Sequence, residues 1–289
     1  MTYDRAAEDV GNIVEFGHVN TRIPDQRLAT LFYVSGLGLT RDPFLVVGVD
    51  NMWVNAGGCQ FHLPTGPAQV VRGVTGLVLP DLDALGRRLR AVEPRLEGTR
   101  FAFTAGCDVT EIVSPWGNRI RCHAPGGRFG AVTLGIPYVE LDAPVGSSEA
   151  IARFYREMLG AHAHCGHDER GVFAHVAAGL HESLVYRETE AVLAEFDGNH
   201  VQIGLCDFSG PHRRLLERGL FTEESNQHQY RFEDIVDLES GRKLLKMEHE
   251  VRSMRHPMYA RPLVNRNPAQ TNDSYAPGHE AMAWHTAHV

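Results

Sequence analysis

The sequence predicts an α+β fold built from four copies of one unit, in which a strand and a helix precede about three further strands. A strand-like alternation of apolar and polar residues, followed by a turn and a helical pattern, recurs near residues 14, 70, 134 and 198. Two of the opening strands are similar in letters, "HVNTRIPD" from His18 and "HVQIGLCD" from His200. The other two are "VTGLVLPD" from Val74 and "YVELDAPV" from Tyr138.

Each opening strand is followed by an amphipathic helix and then by hairpins. The helical patterns are "DQRLATLFYVSGLGL", "DLDALGRRLRAV", "SSEAIARFYREMLGA" and "SGPHRRLLERGL", and their predicted N-caps are Asp25, Asp81, Ser147 and Ser209. The hairpins include "NMWVNAGGCQFHLP", "GVFAHVAAGLHESLVYRET" and "QHQYRFEDIVD" with "KLLKMEHEV".

The repeats divide the chain into two predicted domains and a tail. The glycine-rich stretch at 124–135 separates repeats one and two from repeats three and four, and we interpret it as the domain linker. The predicted domains are therefore 13–124 and 134–252. Residues 253–289 lack periodicity and are predicted to form an extended tail, wrapped on the body near "HPMYARPLVNRNP".

Composition limits the partners. The chain has 289 residues, 43% of them hydrophobic, which is enough for a full-sized core. A formal charge of −8 argues against nucleic acid and anionic membranes as main partners. The sequence contains no run of about 18 apolar residues, so no membrane span is predicted. An acidic N-terminus unlike a signal peptide and five cysteines without close pairing favour a cytoplasmic protein with reduced thiols.

Side chains alternate between the two faces of each opening strand, and the two faces differ in polarity. The face predicted to pack on helices is apolar, as in Val201, Ile203 and Leu205. The opposite face is polar in three of the four strands, for example at His200 and Gln202. Such a face is either exposed or lines a concave binding site.

Four units of this kind, with "HVNTRIPDQRLATLFYVSGLGL", "GLVLPDLDALGRRL", "SPWGNRIRC" and "ARFYREMLG", resemble the vicinal oxygen chelate superfamily. It contains glyoxalase I, extradiol dioxygenases and bleomycin-resistance proteins. The resemblance implies that βαβββ modules pair into cup-shaped domains, and that a cup holds a metal or a small ligand. We expect repeats one and two to form one cup and repeats three and four to form the second, in tandem.

The resemblance also implies ligand positions at the head of an opening strand and on the last strand of a module. In the N-terminal half these are His18, His62, Val74 and Arg121, and because Val74 and Arg121 cannot bind a cation, no metal is expected there.

In the C-terminal half the implied ligands are His200, Glu248 and Glu140, with Tyr138 and Glu250 as alternatives to the two carboxylates. One histidine with carboxylates suits Fe(II) or Mn(II), of which we favour Fe(II). His228 and Tyr230 in "NQHQYRFEDI" are the candidate general acid/base and hydrogen-bond donor.

The function expected from this resemblance is a metal-dependent enzyme, in the first instance an extradiol-dioxygenase-like oxidoreductase. Its substrate would be a small molecule bound through two vicinal oxygens in the C-terminal cup, and homo-oligomerisation is left open. Two alternatives remain: a glyoxalase-like lyase or isomerase that needs no O₂, and a non-catalytic binder of the bleomycin-resistance type.

Overall fold

Four βαβββ modules make up the body of the protein in a computed structural model, which describes residues 3–45 and 50–268. The α+β fold class predicted from the repeats is thereby confirmed. The first module comprises β1 (Ile13–Asn20), α1 (Gln26–Ala29, continuing as a π-helix over Thr30–Gly36), β2 (Thr40–Arg41), β3 (Asn51–Ala56) and β4 (Cys59–Pro64). The second comprises β5 (Gly73–Val78), α2 (Leu82–Val92), β6 (Ala102–Thr104), β7 (Val109–Val113) and β8 (Arg119–His123).

The third and fourth modules repeat the pattern in the second half of the chain. The third comprises β9 (Tyr138–Pro144), α3 (Ser148–Phe154, continuing as a π-helix over Tyr155–Leu159), β10 (Ala163–Asp168), β11 (Gly171–Ala177) and β12 (Ser183–Thr189). The fourth comprises β13 (His200–Leu205), α4 (Ser209–Glu217), β14 (Phe221–Asn226), β15 (Gln229–Val236) and β16 (Lys243–Ser253). Short 3₁₀ turns lie at Ala6–Glu8, Glu93–Arg95 and Gly127–Phe129.

Local sequence signals set the helix ends. The Asp25 carboxylate accepts hydrogen bonds from the backbone N–H of Arg27 (2.6 Å) and Leu28 (3.2 Å). Asp81 accepts one from the backbone N–H of Ala84 (2.8 Å). Both carboxylates satisfy N–H groups that the first helical turn leaves without partners, so these two predicted caps are confirmed. The two predicted serine caps are wrong: the Ser147 hydroxyl donates to the Pro144 carbonyl instead of capping α3, and Ser209 is already the first residue of α4.

The modules pair differently from the sequence-based expectation. Among the described residues the strands form two eight-stranded sheets, in the orders β14-β15-β16-β13-β1-β4-β3-β2 and β10-β11-β12-β9-β5-β8-β7-β6. Module one therefore shares a sheet with module four, and module two shares a sheet with module three. The expectation that modules one and two share one cup of strands, and modules three and four the other, is wrong for the sheets, because β13 lies beside β1 and β9 lies beside β5.

The stretch at 124–135 connects two modules whose strands belong to the same sheet. Phe129 and Val132 are buried against Val78 of β5. The backbone N–H of Val78 donates to the Gly135 carbonyl at 2.8 Å. β5 and β9 then pair antiparallel, with Val74 opposite Glu140.

Helix packing, in contrast, follows the order of the sequence. The Arg88 guanidinium on α2 donates to the carbonyls of Gly36 (3.3 Å) and Leu37 (3.0 Å) at the end of α1. Arg214 on α4 donates to the carbonyl of Met158 in α3 at 2.9 Å. Helices of consecutive modules therefore contact each other, although their strands belong to different sheets.

Two compact units result, and each is formed by discontinuous parts of the chain. One unit comprises Met1–Phe16, Asp142–Leu193 and Gln202–Tyr259. It holds α3, α4, β10 to β12 and β14 to β16. The other unit comprises Gly17–Leu141, Ala194–Val201 and Ala260–Val289, and it holds α1, α2 and β2 to β8.

Residues 260–268, which follow β16, belong to the second unit and contact the first module. The Asn265 side chain accepts from the backbone N–H of Gly57 and donates to its carbonyl, both at 3.0 Å. Asn55 of β3 donates to the Val264 carbonyl at 2.9 Å. The rest of the predicted tail, 269–289, lies outside the described residues. Within the described ranges, no helix has the length and apolar character needed to cross a membrane.

Candidate metal centre

Two histidines of the site lie on adjacent parallel strands of the first module. β1 and β4 pair so that His18 is opposite Gln60 and Asn20 is opposite His62. Side chains alternate along a strand, so His18 and Asn20 share the face of β1 that Val19 does not. The His18 and His62 rings meet edge to face, with centroids 5.3 Å apart.

The third histidine, His200, is the first residue of β13. Its ring centroid lies 5.6 Å from that of His18. One ligand atom from each of His18, His62 and His200 lies within 4.8 Å of the other two. Across the described residues, this is the one group of three or more His, Cys, Asp or Glu side chains that converges in this way.

Three converging imidazoles are a donor set that fits a divalent metal. His18 and His200 are buried, at 1% and 6% exposure, and His62 is half-buried. Nitrogens bound to one ion at about 2.1 Å lie roughly 3–4 Å apart, so small side-chain rotations bring the three into a common coordination sphere. Imidazole ligands suit zinc, iron, copper and nickel.

Two neighbours fix the ring of His62. The Trp53 indole on β3 stacks on it with centroids 3.8 Å apart and planes 10° from parallel. The amide nitrogen of Asn20 lies 2.7 Å from its Nδ1 atom. Trp53 also meets the His18 ring edge to face at 5.1 Å, so it contacts two of the three candidate ligands.

The predicted ligand Glu248 lies on β16 in a network of charges. Met247 and Glu248 lie on opposite faces of the strand: Met247 is 2% exposed in the core, and Glu248 forms an ion pair with Arg231 on β15. Arg231 also contacts Glu250 at 2.5 Å, and Glu250 contacts Arg252 at 2.7 Å. Arginine side chains therefore neutralise both carboxylates, and neither belongs to the group of three histidines.

The predicted ligand Glu140 lies in the other sheet from His200. It is buried on β9 opposite Val74 of β5. Its alternative, Tyr138, is hydrogen-bonded to His123 at 2.8 Å. Combining Glu140 with His200 assumed that modules three and four share a cup, and the sheet topology contradicts that assumption.

The predicted catalytic residues also lie elsewhere than expected. Tyr230 is buried on the helix-facing side of β15, where its ring contacts Phe208 and His212 at 4.8 and 5.1 Å between centroids. Burial raises the pKa of its phenol, which makes it a poor proton donor at neutral pH. His228 lies in the turn between β14 and β15, where its backbone N–H donates to Asn226. The face that carries Arg231 and Glu248 is the opposite one.

Sequence reasoning considered His18 and His62 but assigned them to a cup without metal. The letters "HVN" from His18 and "HVQ" from His200 are similar, and the strands that contain them, β1 and β13, are neighbours in one sheet. This similarity does not by itself predict that the two strands pair. The contacts of Asn20 and Trp53 with His62 could not be predicted from the sequence, because they depend on the pairing of β1, β3 and β4.

No protein-family model matches the chain, and no curated protein sequence matches it. Solved structures do match. Glyoxalase I from Zea mays is 13% identical, with a TM-score of 0.57 over 87% of this chain and 95% of that one. A putative dioxygenase from Bacillus subtilis is 15% identical, with a TM-score of 0.55 over 85% of this chain and 86% of that one. The fold is thus that of the vicinal oxygen chelate superfamily, as the sequence pattern predicted.

Proposed function

We propose that this protein is a metal-dependent enzyme that binds a divalent ion through His18, His62 and His200 and acts on a small molecule through two adjacent oxygens. The convergence of three imidazoles from three strands carries the proposal. Each histidine comes from a separate strand, β1, β4 or β13, so the three imidazoles converge through the tertiary structure.

The chemistry divides between the ion and the chain. A divalent ion bound there would serve as a Lewis acid that polarises two vicinal oxygens of the substrate. His18 and His200 hold their ligand atoms in a buried environment, where electrostatic interactions are stronger than in water. Trp53, 6% exposed, excludes water from one side of His62. Three protein ligands leave further coordination positions for substrate.

The reaction class that we favour is a dioxygenase reaction of the iron-dependent type. The three-imidazole set replaces the carboxylate-rich set expected from the sequence; it weakens the case for Mn(II), and it suits iron as one of several divalent metals. The fold match to a protein named as a putative dioxygenase supports this choice. The match to glyoxalase I favours a second candidate, an isomerase or lyase that uses the same centre without O₂.

Metal content is the first test. Untagged wild type, His200→Ala and His62→Ala are purified side by side and analysed by mass spectrometry. His164→Ala is the matched control, because His164 is an exposed histidine on β10, opposite His175. We expect stoichiometric iron or another divalent metal in the wild type and the control, and at least tenfold less in the two site variants. A metal-free wild type, or unchanged metal in both site variants, would overturn the proposal and favour a non-catalytic small-molecule binder.

Oxygen dependence separates the two enzyme classes. The metal-loaded protein is incubated with a panel of catechols and, separately, with hemithioacetals, in air and under anaerobic conditions. Turnover of a catechol that requires O₂ and is lost in His200→Ala supports the dioxygenase. Turnover of a hemithioacetal at equal rates with and without O₂ would replace it by the isomerase.

A further inference from the structure

The side chain of Asn20 is placed to control the ligand role of His62. We propose that Asn20 is a positioning residue that selects which ring nitrogen of His62 binds the metal, and that its amide inverts when the metal binds. This inference rests on the proposed metal centre and goes beyond it, because it concerns a residue that is not itself a ligand.

The geometry holds His62 from two directions. Asn20 and His62 are direct partners in the parallel pairing of β1 and β4, and Asn20 is 4% exposed. Its amide nitrogen lies 2.7 Å from Nδ1 of His62. Trp53, the direct partner of His62 on β3, lies against the ring face at 3.8 Å. The indole blocks rotation of the ring out of its plane, so the contact with Asn20 determines which edge is turned toward His18 and His200.

The hydrogen bond also fixes the tautomer. An amide nitrogen can only donate, so Nδ1 of His62 accepts, and in the neutral ring the proton is on Nε2. Because Asn20 occupies Nδ1, Nε2 is the nitrogen left to the metal. A nitrogen that binds a metal must carry no proton. The ring therefore has to lose the proton from Nε2 and carry one on Nδ1, with no change in its charge.

Asn20 can serve both states by inversion. With Nδ1 protonated, the favourable partner is an acceptor, and a half-turn of the Asn20 amide replaces its nitrogen by its oxygen at the same position. Metal-binding histidines generally donate their second N–H to a carbonyl or carboxylate, and loss of that partner typically lowers metal affinity 10–100-fold. Asn20 would thus be the acceptor for the metal-bound ring and the donor for the metal-free ring.

Two isosteric variants test the role of the amide. Zn²⁺ is titrated calorimetrically into metal-free wild type, Asn20→Leu and Asn20→Asp, after circular dichroism has confirmed that all three are folded. We expect Asn20→Leu to bind Zn²⁺ about 10–100-fold more weakly than the wild type. Asn20→Asp should bind at least as tightly as the wild type, because a carboxylate accepts from Nδ1–H without inversion. A merely structural role would not produce rescue by aspartate.

A tautomer measurement on the wild type keeps the proposal testable if Asn20→Leu does not fold. Nitrogen NMR of protein labelled at histidine, with His62 assigned from a His62→Gln variant, reports which nitrogen carries the proton. We expect Nε2–H without Zn²⁺ and Nδ1–H with Zn²⁺. Nδ1–H in the metal-free protein, or equal Zn²⁺ affinities of wild type and Asn20→Leu, would overturn the role of Asn20 alone. Failure of the wild type to bind Zn²⁺ would overturn the metal centre as well.

Discussion

The ion pair between Asp42 and Arg261 joins the segment after β16 to the first module. The Asp42 side chain is fully buried, and Arg261 Nη2 donates to its Oδ2 at 2.7 Å. Gln60 donates to the same oxygen at 3.2 Å. The backbone N–H groups of Phe44 and Leu45 donate to Oδ1 at 2.8 and 2.9 Å. Arg261→Met therefore leaves a buried carboxylate that has lost its charged partner but keeps three donors.

We expect Arg261→Met to lower the free energy of unfolding by about 2–3 kcal/mol. Removing one partner of a buried ion pair costs about 3–5 kcal/mol, and the three remaining donors offset part of that cost. At about 2–4 °C per kcal/mol, the melting temperature falls by roughly 4–12 °C. Arg266→Met is the matched control. Its side chain is exposed, and its backbone N–H donates to the Thr40 hydroxyl at 2.8 Å, a bond that the substitution keeps, so the expected change is below about 0.5 kcal/mol.

The loss of unfolding free energy caused by Arg261→Met should be larger at neutral pH than at acid pH. Burial raises the pKa of Asp42, but the hydrogen bonds from Arg261 and from the backbone lower it by more, so the pKa of Asp42 lies below its usual value. A lowered folded-state pKa contributes stability above the unfolded-state value of about 3.9, and that contribution is lost as the pH falls through the folded-state pKa. Urea unfolding should therefore show a larger effect of Arg261→Met at pH 7 than near pH 3. Equal effects at both pH values, or equal stabilities of the Arg261 and Arg266 variants, would refute the reasoning.

Three further changes have distinct expected outcomes. Gly57→Ala would place a Cβ atom 1.9 Å from the Leu134 carbonyl oxygen and should lower the free energy of unfolding in urea by at least about 3 kcal/mol. Its control is Gly219→Ala, which has the same φ of +65° but no described atom within 4 Å of the added Cβ, and it should cost about 1 kcal/mol. Equal costs would contradict the predicted clash. Burial raises the pKa of Glu182 to about 7, so the contribution of this carboxyl group to stability is lost as the pH rises through that value. In thermal unfolding, Glu182→Gln should therefore be more stable than the wild type by roughly 1–2 kcal/mol at pH 8.5 but by little at pH 4.5. A difference in stability that does not depend on pH would show that the carboxyl group is not responsible. Tyr230→Phe should lower the free energy of unfolding by about 1 kcal/mol and leave Zn²⁺ affinity unchanged, because its hydroxyl donates to the Phe208 carbonyl at 3.3 Å. A tenfold loss of Zn²⁺ affinity would show that Tyr230 takes part in the site.

Strand parity and module boundaries were predictable because both are local properties. A strand alternates its side chains with a period of two, so the apolar residues Val201 and Ile203 determine that His200 lies on the other face. The same rule places Met247 in the core and Glu248 on the opposite face, as the structure shows. Helix starts at Asp25 and Asp81 follow equally from short-range hydrogen bonding.

The choice of module partners was decided by the tertiary structure. Each opening strand has the same apolar helix-facing side, so burial alone favours no particular pairing. Which strands then meet depends on contacts between residues far apart in sequence, and those contacts joined module one to module four.

The candidate site depended on that choice. Pairing by chain order would have combined His200 with Glu140, whereas the actual pairing combines it with His18 and His62. The sequence by itself determined the four modules, the two faces of the opening strands and the presence of a histidine at the same repeat position in two of them. Only the tertiary structure decided which of those side chains share a site, because convergence is a property of distance in space, and neither composition nor periodicity encodes it.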